Sequence, residues 1–361
     1  MNGLLIVPPV TGVMKNIGDY IQSIAQEQFW DRIDCYVERE RLASFKSEEK
    51  VNLIMQGWFM WTAEQFPPSK DINPFFISFH LSPLVVEKLL TLQSISYFKS
   101  YEPIGCRDYN TKRILESKGI KCYFSGCLTL TLGIKYSPRV RTQDIYIVDP
   151  FFERGYSKEI SRFKRIWILL TTILKYPKQV NVIKRKYSCG KDYKKSIYKW
   201  IDAASLYCTY SKVFSDDILL GATYMTHIIN VSGMSEEQKL ELARNHIRKY
   251  GAAKLIITSR IHAALPAIAL GTPAIFFNSE YLENKGNSGA AGRFDGLLEL
   301  MNYINITPKG VLPGNDYMNN IMKSGKIGSQ TVIYNPDTYK SICSDLIHRV
   351  KRFVSKCESG G

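Results

Sequence analysis

The sequence of 361 residues lacks several features that would assign it at once to a class of protein. Its eight cysteines do not include the two pairs, each separated by two to four residues, that thiolate zinc sites use, so no zinc site is expected. It has no carboxylate cluster of the kind that holds magnesium against a nucleotide diphosphate. No repeat with a period of about 20–50 residues is visible. We therefore expect neither a metal ion nor a repeat fold.

Long apolar runs are also missing. In the most basic part of the chain the longest uncharged apolar stretch is IWILLTTIL, residues 166–174, whereas a membrane span needs roughly twenty such residues. The run GLLIVPPV that follows Met1 has no basic leader and contains two prolines, which is typical of a first strand and not of a signal peptide. We expect a cytoplasmic protein with reduced thiols.

Acidic residues are scarce and unevenly distributed. The chain has 48 Lys and Arg residues against 33 Asp and Glu, a net charge of +15, which suggests a polyanionic partner, an anionic membrane surface or small anionic ligands. Fourteen basic and two acidic residues lie in segment 154–199, so this segment accounts for +12 of the charge. Because the rest of the chain is nearly neutral, a general nucleic-acid binder is not expected.

Short apolar runs alternate with stretches of helical period along the chain, and this pattern predicts an α/β fold. The runs of the first series begin at Leu4, Asp34, Val51, Phe75, Pro103 and Cys122. Helices are predicted between them at 19–30, 84–92 and 108–118. The alternation favours a doubly wound, mostly parallel sheet.

A second series of strands begins at Ile145 and continues with runs from His227, Lys254 and Pro273. A helix at 235–250 opens with the capping box of Ser235, and a last helix is predicted at 336–356. We therefore predict an N-terminal domain, 1–140, on which 336–356 packs back, and a C-terminal domain, 141–335, with an insert at 154–199. A ligand cleft is expected between them.

The strongest motif is TSRIHAALPAIALGTPAIFF, residues 258–277. A strand ends at Thr258, Arg260 and His262 follow, and a helix runs towards Gly271. Pro266 is tolerated only if that helix begins near His262. This turn, at the carboxyl end of a strand and the amino end of a helix, favours bound anions. The alternative is that His262 is only a helix cap and Arg260 a surface charge.

Two further segments place polar residues at strand-to-helix turns. In PIGCRDYNTKRILESKGI, residues 103–120, Arg107 can hold a carboxylate or phosphate by two hydrogen bonds, or it can simply pair with Asp108 to fix the turn. In KNIGDYIQSIAQ, residues 15–26, Gly18 permits close backbone approach and Asp19 begins a helix. The latter segment is not a GxGxxG loop, and alone it is a weak signal.

In this order and spacing the three segments resemble the polysaccharide pyruvyl transferase family over about residues 10–300. The matching positions are Asn16, Gly18, Asp19, Gln22, Ala25, then Gly105, Arg107, Asp108, Thr111, then Thr258, Arg260, His262, Ala267, Gly271 and Pro273. The resemblance implies a GT-B-like fold, in which two Rossmann-like domains face a central cleft. It also implies transfer of a pyruvyl group from phosphoenolpyruvate to a galactose- or mannose-type sugar as a cyclic ketal.

The resemblance also suggests roles for particular residues. It places Arg107, Arg260, Ile261 and His262 at the donor site, with either Lys285 or Arg293 completing it. It places Asn16, Gly18 and Asp19 on the acceptor side. Phosphoenolpyruvate is the donor substrate, and no cofactor is implied.

The chemistry of phosphoenolpyruvate is consistent with these residues. Its carboxylate and phosphate require at least two cationic groups, which Arg107 and Arg260 supply. Ketal formation requires proton transfers, and a group that titrates near neutrality suits them. We therefore predict that His262 exchanges protons with the phosphate leaving group or the attacking hydroxyl, and that Asp19 orients or deprotonates the acceptor.

Segment 154–199 mixes its cations with aromatic and aliphatic residues, which is typical of a helix lying in a membrane interface. The predicted membrane-facing residues are Lys164, Arg165, Trp167, Lys184, Arg185 and Lys186. The alternative is a solvated surface with 166–174 in the core. We expect a peripheral protein on the inner face of the plasma membrane, acting on a polyprenyl-diphosphate-linked oligosaccharide in capsule, exopolysaccharide or cell-wall polymer synthesis.

Two other functions remain open from the sequence. A GT-B nucleotide-sugar glycosyltransferase would need a carboxylate for the donor ribose, for which Glu280 or Glu283 is available. A non-catalytic nucleic-acid or membrane-binding protein is the other alternative. The near neutrality of the chain outside the insert, together with polar residues at three strand ends, argues against it.

Overall fold

The computed structural model of the chain describes residues 1–7, 13–152, 162–187, 196–279 and 292–359. Its strands are β1 (Asn2–Ile6), β2 (Met14–Asn16), β3 (Cys35–Glu38), β4 (Val51–Phe59), β5 (Ile72–Leu81), β6 (Ile104–Cys106), β7 (Cys122–Phe124), β8 (Ile145–Val148), β9 (Thr223–Met225), β10 (Ile228–Asn230), β11 (Leu255–Thr258), β12 (Ala274–Ser279), β13 (Asn302–Thr307) and β14 (Gly310–Pro313).

The α-helices in the same residues follow the strands in the alternation that the sequence predicts. They are α1 (Gly18–Glu27), α2 (Val86–Leu89), α3 (Leu92–Lys99), α4 (Tyr109–Glu116), α5 (Gly133–Tyr136), α6 (Arg162–Lys175), α7 (Pro177–Lys186), α8 (Ser196–Tyr210), α9 (Asp216–Gly221), α10 (Glu236–Ala252), α11 (Ile261–Ala269), α12 (Asp316–Ser324) and α13 (Tyr339–Ser359).

The N-terminal sheet has the order β3-β1-β4-β5-β6-β7, and every pair in it is parallel. Its strands read as apolar runs because both faces are buried. On one face Ile54 and Ile77 pack towards α1 and α13, and on the other Met55 and Phe76 pack towards α2, α3 and α4.

The C-terminal sheet has the order β14-β13-β12-β11-β8-β9 and is parallel except for β14. Neighbouring residues of β11 face opposite sides, so Ile256 packs towards α10 and α11 while Ile257 packs towards α8 and α9. In both sheets the first strand of the domain lies between its second and third sheet strands. Each sheet therefore reverses its winding next to its first strand, where α/β folds bind ligands.

The two domains meet through α1 and a small ribbon. Tyr20 and Ile24 of α1 share one apolar core with Leu240 of α10 and Leu265 of α11. The strands β2 and β10 form an antiparallel pair in which Asn16 is opposite Ile228. These contacts hold the first turn of α1 against the C-terminal domain. The paired α/β domains confirm the predicted GT-B-like fold class.

The C-terminal helix α13 packs on the N-terminal sheet. Its buried face carries Leu346, Val350 and Val354. The ring of Phe353 stacks on Phe75 with centroids 4.8 Å apart and meets Trp30 edge-on at 6.1 Å. The chain thus returns to the first domain after completing the second.

Several elements differ from the prediction. The run from His227 does not enter the C-terminal sheet, because β9 takes the position beside β8 and β10 pairs with β2. The helix predicted at 84–92 is replaced by α2 and α3, since Thr91 accepts a hydrogen bond from the Ser94 amide and starts a new helix. The strands β13 and β14 were not predicted.

The basic segment contains α6, α7 and the start of α8. Leu169 and Ile173 of α6 pack into the C-terminal core. The exposed apolar side chains of α6 are Phe163, Ile166, Trp167, Leu170 and Leu174. Four of the nine side chains of 166–174 are exposed, so the alternative that places this stretch in the core is wrong for those four. No helix in the described part of the chain is long and apolar enough to span a membrane.

Candidate active site between the domains

The turn from β11 to α11 places Arg260 and His262 at the carboxyl edge of the C-terminal sheet. The Thr258 hydroxyl donates to the Val148 carbonyl at 2.8 Å and accepts from the Arg260 amide at 2.9 Å, which fixes the turn. The helix begins at Ile261 and is kinked at His262, with φ −83° and ψ 15°. This start confirms the expectation from Pro266, which lies in the helix and lacks an amide.

A carboxylate that the sequence analysis did not single out positions Arg260. Asp149 follows β8, the strand next to β11, and its Oδ2 accepts from Arg260 Nε at 2.9 Å and from the His227 amide at 2.9 Å. The Arg260 side chain is still 34% exposed, so its remaining nitrogens are accessible to a ligand. The available signal was an aspartate directly after the buried strand IYIV.

Arg107 and Asp108 end β6 and begin α4. Asp108 Oδ1 accepts from the Thr111 amide at 2.8 Å and so caps α4. Arg107 is only 3% exposed, its Nε lies 3.8 Å from Asp108 Oδ2, and that Nε has no hydrogen-bond partner among the residues described. A buried guanidinium with an unused donor can bind an anion from the cleft.

His80, which sequence reasoning missed, lies beside Arg107 near the end of β5. Its Nδ1 is 2.5 Å from Asp108 Oδ2, and its Nε2 has no partner within the described ranges. Burial and then the charge of Arg107 lower the pKa of His80 to about 4. Burial alone would raise the pKa of Asp108, but His80 and Arg107 hold it below its usual range. The carboxylate therefore accepts a hydrogen bond from the Nδ1–H of His80, and Nε2 keeps a free lone pair.

The first turn of α1 brings the third motif to the same place. The Gly18 amide donates to Asn16 Oδ1 at 3.1 Å, and Lys15 Nζ lies 2.7 Å from Asp19 Oδ2. Burial favours a raised pKa for Asp19, but the charges of Lys15 and Arg39 outweigh it and lower the pKa. Asp19 is therefore a carboxylate on the N-terminal side of the cleft.

Gly18 is in contact with the C-terminal domain. A Cβ atom built on it would lie 3.1 Å from His227 Nδ1 and 3.2 Å from His262 Cβ. The missing side chain lets the amino ends of α1 and α11 approach each other. Both helix dipoles then favour negative charge at one point.

The charge around His262 differs from the sequence expectation. Burial and then the charge of Arg107 lower its pKa to about 3, with Arg293 and Arg260 acting in the same direction and Asp19 opposing them. The expectation of titration near neutrality is wrong for the free protein, because nearby arginines disfavour the imidazolium. His262 Nε2 is buried and has no hydrogen-bond partner in the part of the chain that the structure describes.

The candidates for completing the donor site are Lys285 and Arg293, and of these two the structure describes Arg293. Its charge lowers the pKa of both His80 and His262, and its guanidinium lies 4.5 Å from the centre of the Phe294 ring. Lys285 lies outside the described residues, as do Glu280 and Glu283. Ile261, 8% exposed, is in the first turn of α11.

The membrane-facing candidates belong to another surface. Lys184 Nζ lies 3.8 Å from the centre of the Trp200 ring, and Lys186 Nζ donates to carbonyls at the end of α9. Arg185 and Trp167 are exposed. The side chains of Lys164 and Arg165 are outside the described part of the structure.

The residues of the three motifs and their neighbours line one cleft, in which several arginines lie beside histidines that are neutral. The members are Arg107, Arg260, Arg293, His80, His262, Asp19 and Asp108. The arginines can bind an anion, and the two neutral imidazoles can accept protons at Nε2. Among the described residues no group of three or more His, Cys, Asp or Glu side chains is placed to hold a metal ion.

Two Rossmann-like domains that share an arginine-lined cleft define a protein of GT-B-like fold. The model of the family described as polysaccharide pyruvyl transferase matches residues 16–281, which include Asn16, Arg107 and His262. The chain belongs to the polysaccharide pyruvyl transferase family, and it is accordingly a pyruvyltransferase of polysaccharide biosynthesis. This membership argues against the non-catalytic alternative.

Individual known proteins are only distantly similar to the chain. Among solved structures, the UDP-GlcNAc 2-epimerase from Methanocaldococcus jannaschii is similar over 98% of this chain and 100% of that chain, with a TM-score of 0.40 and 12% sequence identity. No curated protein matches the sequence at a significant level.

Proposed function

We propose that the protein transfers the pyruvyl group of phosphoenolpyruvate to two hydroxyls of a galactose- or mannose-type sugar and forms a cyclic ketal. The observation that carries the proposal is the combination of Arg107, Arg260 and Arg293 with two neutral histidines at one cleft. A donor with a carboxylate and a phosphate needs several cations, and arginine binds both groups through paired hydrogen bonds.

The reaction requires two proton movements. The donor C3 is protonated, a sugar hydroxyl oxygen bonds to C2, the bond from C2 to the phosphate oxygen breaks, and a second hydroxyl closes the ketal ring at C2. Of the two hydroxyl protons, one ends on the new C3 methyl group and the other leaves with phosphate. The site therefore needs bases that accept a proton and then release it.

We assign the transfer of the proton from the attacking hydroxyl to His262. It is neutral in the free protein, so it can accept the proton of the attacking hydroxyl. The bound donor brings negative charge next to it, which opposes the effect of the arginines and stabilises the imidazolium. His262 then returns the proton to C3 or to the leaving phosphate. His80 Nε2 is available as a second base, and Asp19 orients the acceptor from the opposite domain.

The direct test is release of phosphate from phosphoenolpyruvate in the presence of methyl galactosides or mannosides. We expect His262→Ala and Arg260→Ala to lower the rate by about 10²–10⁴-fold, the range for loss of a positioned acid–base or charged group. His348→Ala is the matched control, because His348 is exposed on α13. Wild-type turnover in His262→Ala would sink the catalytic assignment.

Calorimetric titration separates this function from that of a nucleotide-sugar glycosyltransferase of the same fold. Phosphoenolpyruvate is expected to bind, with a loss of affinity in Arg107→Ala. Binding of UDP-sugars or GDP-sugars with no binding of phosphoenolpyruvate would favour the glycosyltransferase.

A second proposal concerns the basic segment, which we assign to docking on an anionic membrane surface. The exposed residues Phe163, Trp167, Leu170 and Leu174 recur at helical spacing on one side of α6. Ile197 and Tyr198 are further exposed apolar side chains at the start of α8, a helix that contacts α6. We expect this surface to bind lipid, because an exposed apolar stripe flanked by cations is typical of helices that lie in the membrane interface.

The neighbouring charges support an anionic surface in particular. Lys175 of α6 and Lys178 and Arg185 of α7 are exposed in the same segment, and each basic residue near an anionic leaflet contributes about 1 kcal/mol. Docking on the inner face of the plasma membrane would present the cleft to a polyprenyl-diphosphate-linked acceptor, as capsule, exopolysaccharide or cell-wall polymer synthesis requires.

Co-sedimentation with phosphatidylglycerol vesicles tests the docking proposal. The double variant Trp167→Ser with Leu170→Ser is expected to remain in the supernatant, as is wild type at high salt. Leu92→Ser is the matched control, because Leu92 is 88% exposed but lies on α3, away from α6. Equal sedimentation of the double variant and wild type would overturn the proposal.

A further inference from the structure

Two tryptophans outside all three motifs lie at the carboxyl end of β4. The rings of Trp58 and Trp61 are 4.6 Å apart with an interplanar angle of 56°. Trp61 is 61% exposed, so most of its ring faces solvent and adds little to the stability of the fold. We call this pair the tryptophan platform.

The platform is held firmly in spite of its exposure. Glu40 Oε2 accepts from the amides of Trp61 at 3.0 Å and Thr62 at 2.9 Å, and Oε1 accepts from Arg39 Nε at 2.8 Å. The guanidinium of Arg39, itself only 3% exposed, lies 5.0 Å from the centre of the Trp58 ring. The Glu40 carboxylate thus fixes both the backbone of Trp61 and the guanidinium that lies against the Trp58 ring. Because the two rings are held in place before a ligand binds, less entropy is lost on binding.

The platform belongs to the same edge of the sheet as the acceptor side of the cleft. Trp58 is opposite His80 in the register of β4 and β5, so the two residues are on adjacent strands. Arg39 follows β3, and its charge lowers the pKa of Asp19. Trp61 follows just beyond the end of β4, and its ring contacts that of Trp58.

The electrostatics of the platform fit a neutral ligand. Arg39 is paired with Glu40, so the platform offers no free cation that would attract a phosphate or a carboxylate. What it offers is an apolar aromatic face with a polar surround. A pyranose ring has a matching face of C–H groups and a rim of hydroxyls.

We infer that the tryptophan platform is a carbohydrate subsite, in which Trp61 stacks on the pyranose adjoining the one that receives the pyruvyl group. This inference rests on the proposed function, since it assumes a saccharide acceptor in the cleft. It implies that the acceptor is at least a disaccharide and that Trp61 contributes to its affinity without taking part in the chemistry.

Binding measurements without donor test the subsite directly. The probes are methyl glycosides of galactose and mannose and the corresponding disaccharides, followed by saturation-transfer NMR and tryptophan fluorescence. Trp61→Ala is expected to lower the affinity for the disaccharide about tenfold, the loss that is typical when one stacked aromatic ring is removed from a binding site. The affinity for methyl glycosides is expected to stay unchanged. Trp61→Phe retains a ring and is expected to recover most of the affinity.

The controls distinguish a subsite from general exposure. Trp167→Ala removes a tryptophan that is 69% exposed on α6 and is expected to bind disaccharides as wild type does. In turnover, Trp61→Ala is expected to raise the KM for the disaccharide about tenfold while kcat and the KM for phosphoenolpyruvate stay within twofold. Trp61 is chosen over Trp58 because its exposure makes misfolding of the variant a small risk.

Three results would overturn the inference. They are disaccharide binding in Trp61→Ala equal to that of wild type, no preference of wild type for disaccharides over methyl glycosides, and quenching of Trp61 by uridine but by no saccharide. Failure of the two proposals can be told apart. Phosphate release with an unchanged KM in Trp61→Ala would remove only the subsite, whereas Trp61-dependent binding without any phosphate release would remove only the pyruvyl-transfer function.

Discussion

Gly18 of α1 and His262 of α11 touch across the domain boundary, where a Cβ atom on Gly18 would lie 3.2 Å from the Cβ of His262. Gly18 is not required there by its backbone conformation, since its φ is not positive. It is required by the close approach of two helix amino ends, one from each domain. The contact ties the acceptor side of the cleft to the proposed catalytic base.

Gly18→Ala is therefore expected to damage the site more than the fold. The added methyl would push apart α1 and α11, and overpacking of this kind costs about 1–3 kcal/mol in the free energy of unfolding. Because proton transfer depends on distances of tenths of an ångström, we expect phosphate release to fall at least about tenfold. Steady-state kinetics and urea unfolding measure the two effects.

Gly221→Ala is the matched control for this change. Gly221 ends α9, and a Cβ atom there would meet nothing within 4 Å. It is expected to leave both activity and stability near wild type. If Gly18→Ala keeps full activity, the close approach of the two helices is not part of the active arrangement.

Asp108→Asn tests the pairing of His80 with its carboxylate. An asparagine caps a helix about as well as an aspartate, so α4 should be preserved. Its amide, however, can donate to His80 Nδ1, which moves the imidazole proton to Nε2 and removes the lone pair that faces the cleft. The buried Arg107 guanidinium also loses the carboxylate beside it, so the free energy of unfolding is expected to fall. If His80 acts as a base, kcat of the folded variant falls by about 10²–10⁴-fold.

The exposed ion pair of Asp345 with Arg349 on α13 supplies the control, since their atoms are 2.7 Å apart and remote from the cleft. Asp345→Asn is expected to retain wild-type kcat. An unchanged kcat in Asp108→Asn would show that Asp108 acts only as a helix cap.

Most of the fold could be predicted from the sequence because parallel strands buried on both faces read as apolar runs. The strands that failed have other signals. The strand β9 is only three residues long, and the apolar residues of β13 are interrupted by two asparagines, of which Asn302 is buried and donates to the Tyr334 carbonyl at 2.7 Å. This partner is 32 residues away in the chain, so the local pattern gives no sign of it.

The site was predictable where a motif follows directly after a strand, as with Arg107 and Arg260. It was not predictable where function depends on neighbours distant in sequence. His80 is identified by Asp108, and Asp149 by Arg260, only after the strands are adjacent. The low pKa of His262 likewise results from charges on separate segments, which no local pattern reports.

Acid sensitivity follows from the buried histidines His80, His227, His246 and His262. Burial lowers the pKa of each, to about 4 for His80 and about 3 for His262, against an ordinary value near 6.5. Below about pH 6.5 the unfolded chain therefore binds protons that the folded protein excludes, and stability falls as the pH falls. Each such histidine contributes about 1.4 kcal/mol per pH unit until its folded pKa is reached.

Urea unfolding at pH 7 and pH 5 measures this slope. His262→Asn is expected to reduce it by the share of one histidine, and His348→Ala, which removes an exposed histidine, is expected to leave it unchanged. An identical slope in wild type and His262→Asn would show that His262 has the same pKa in the folded protein as in the unfolded chain.

Donor binding is expected to be linked to proton uptake at His262. The arginines keep this imidazole neutral, but the carboxylate and phosphate of phosphoenolpyruvate place negative charge beside it and raise its pKa. The donor phosphate also titrates near pH 6, and the arginines favour its dianion, so its own contribution is proton release.

The quantity to compare is therefore the difference in proton uptake between wild type and His262→Asn, obtained by calorimetry in buffers of different ionisation enthalpy. We expect uptake by wild type to exceed that of the variant at pH 5.5 and the difference to vanish by pH 8. A difference of zero at both pH values would mean that the donor leaves His262 neutral, and the proton that reaches C3 would then have to come from another group.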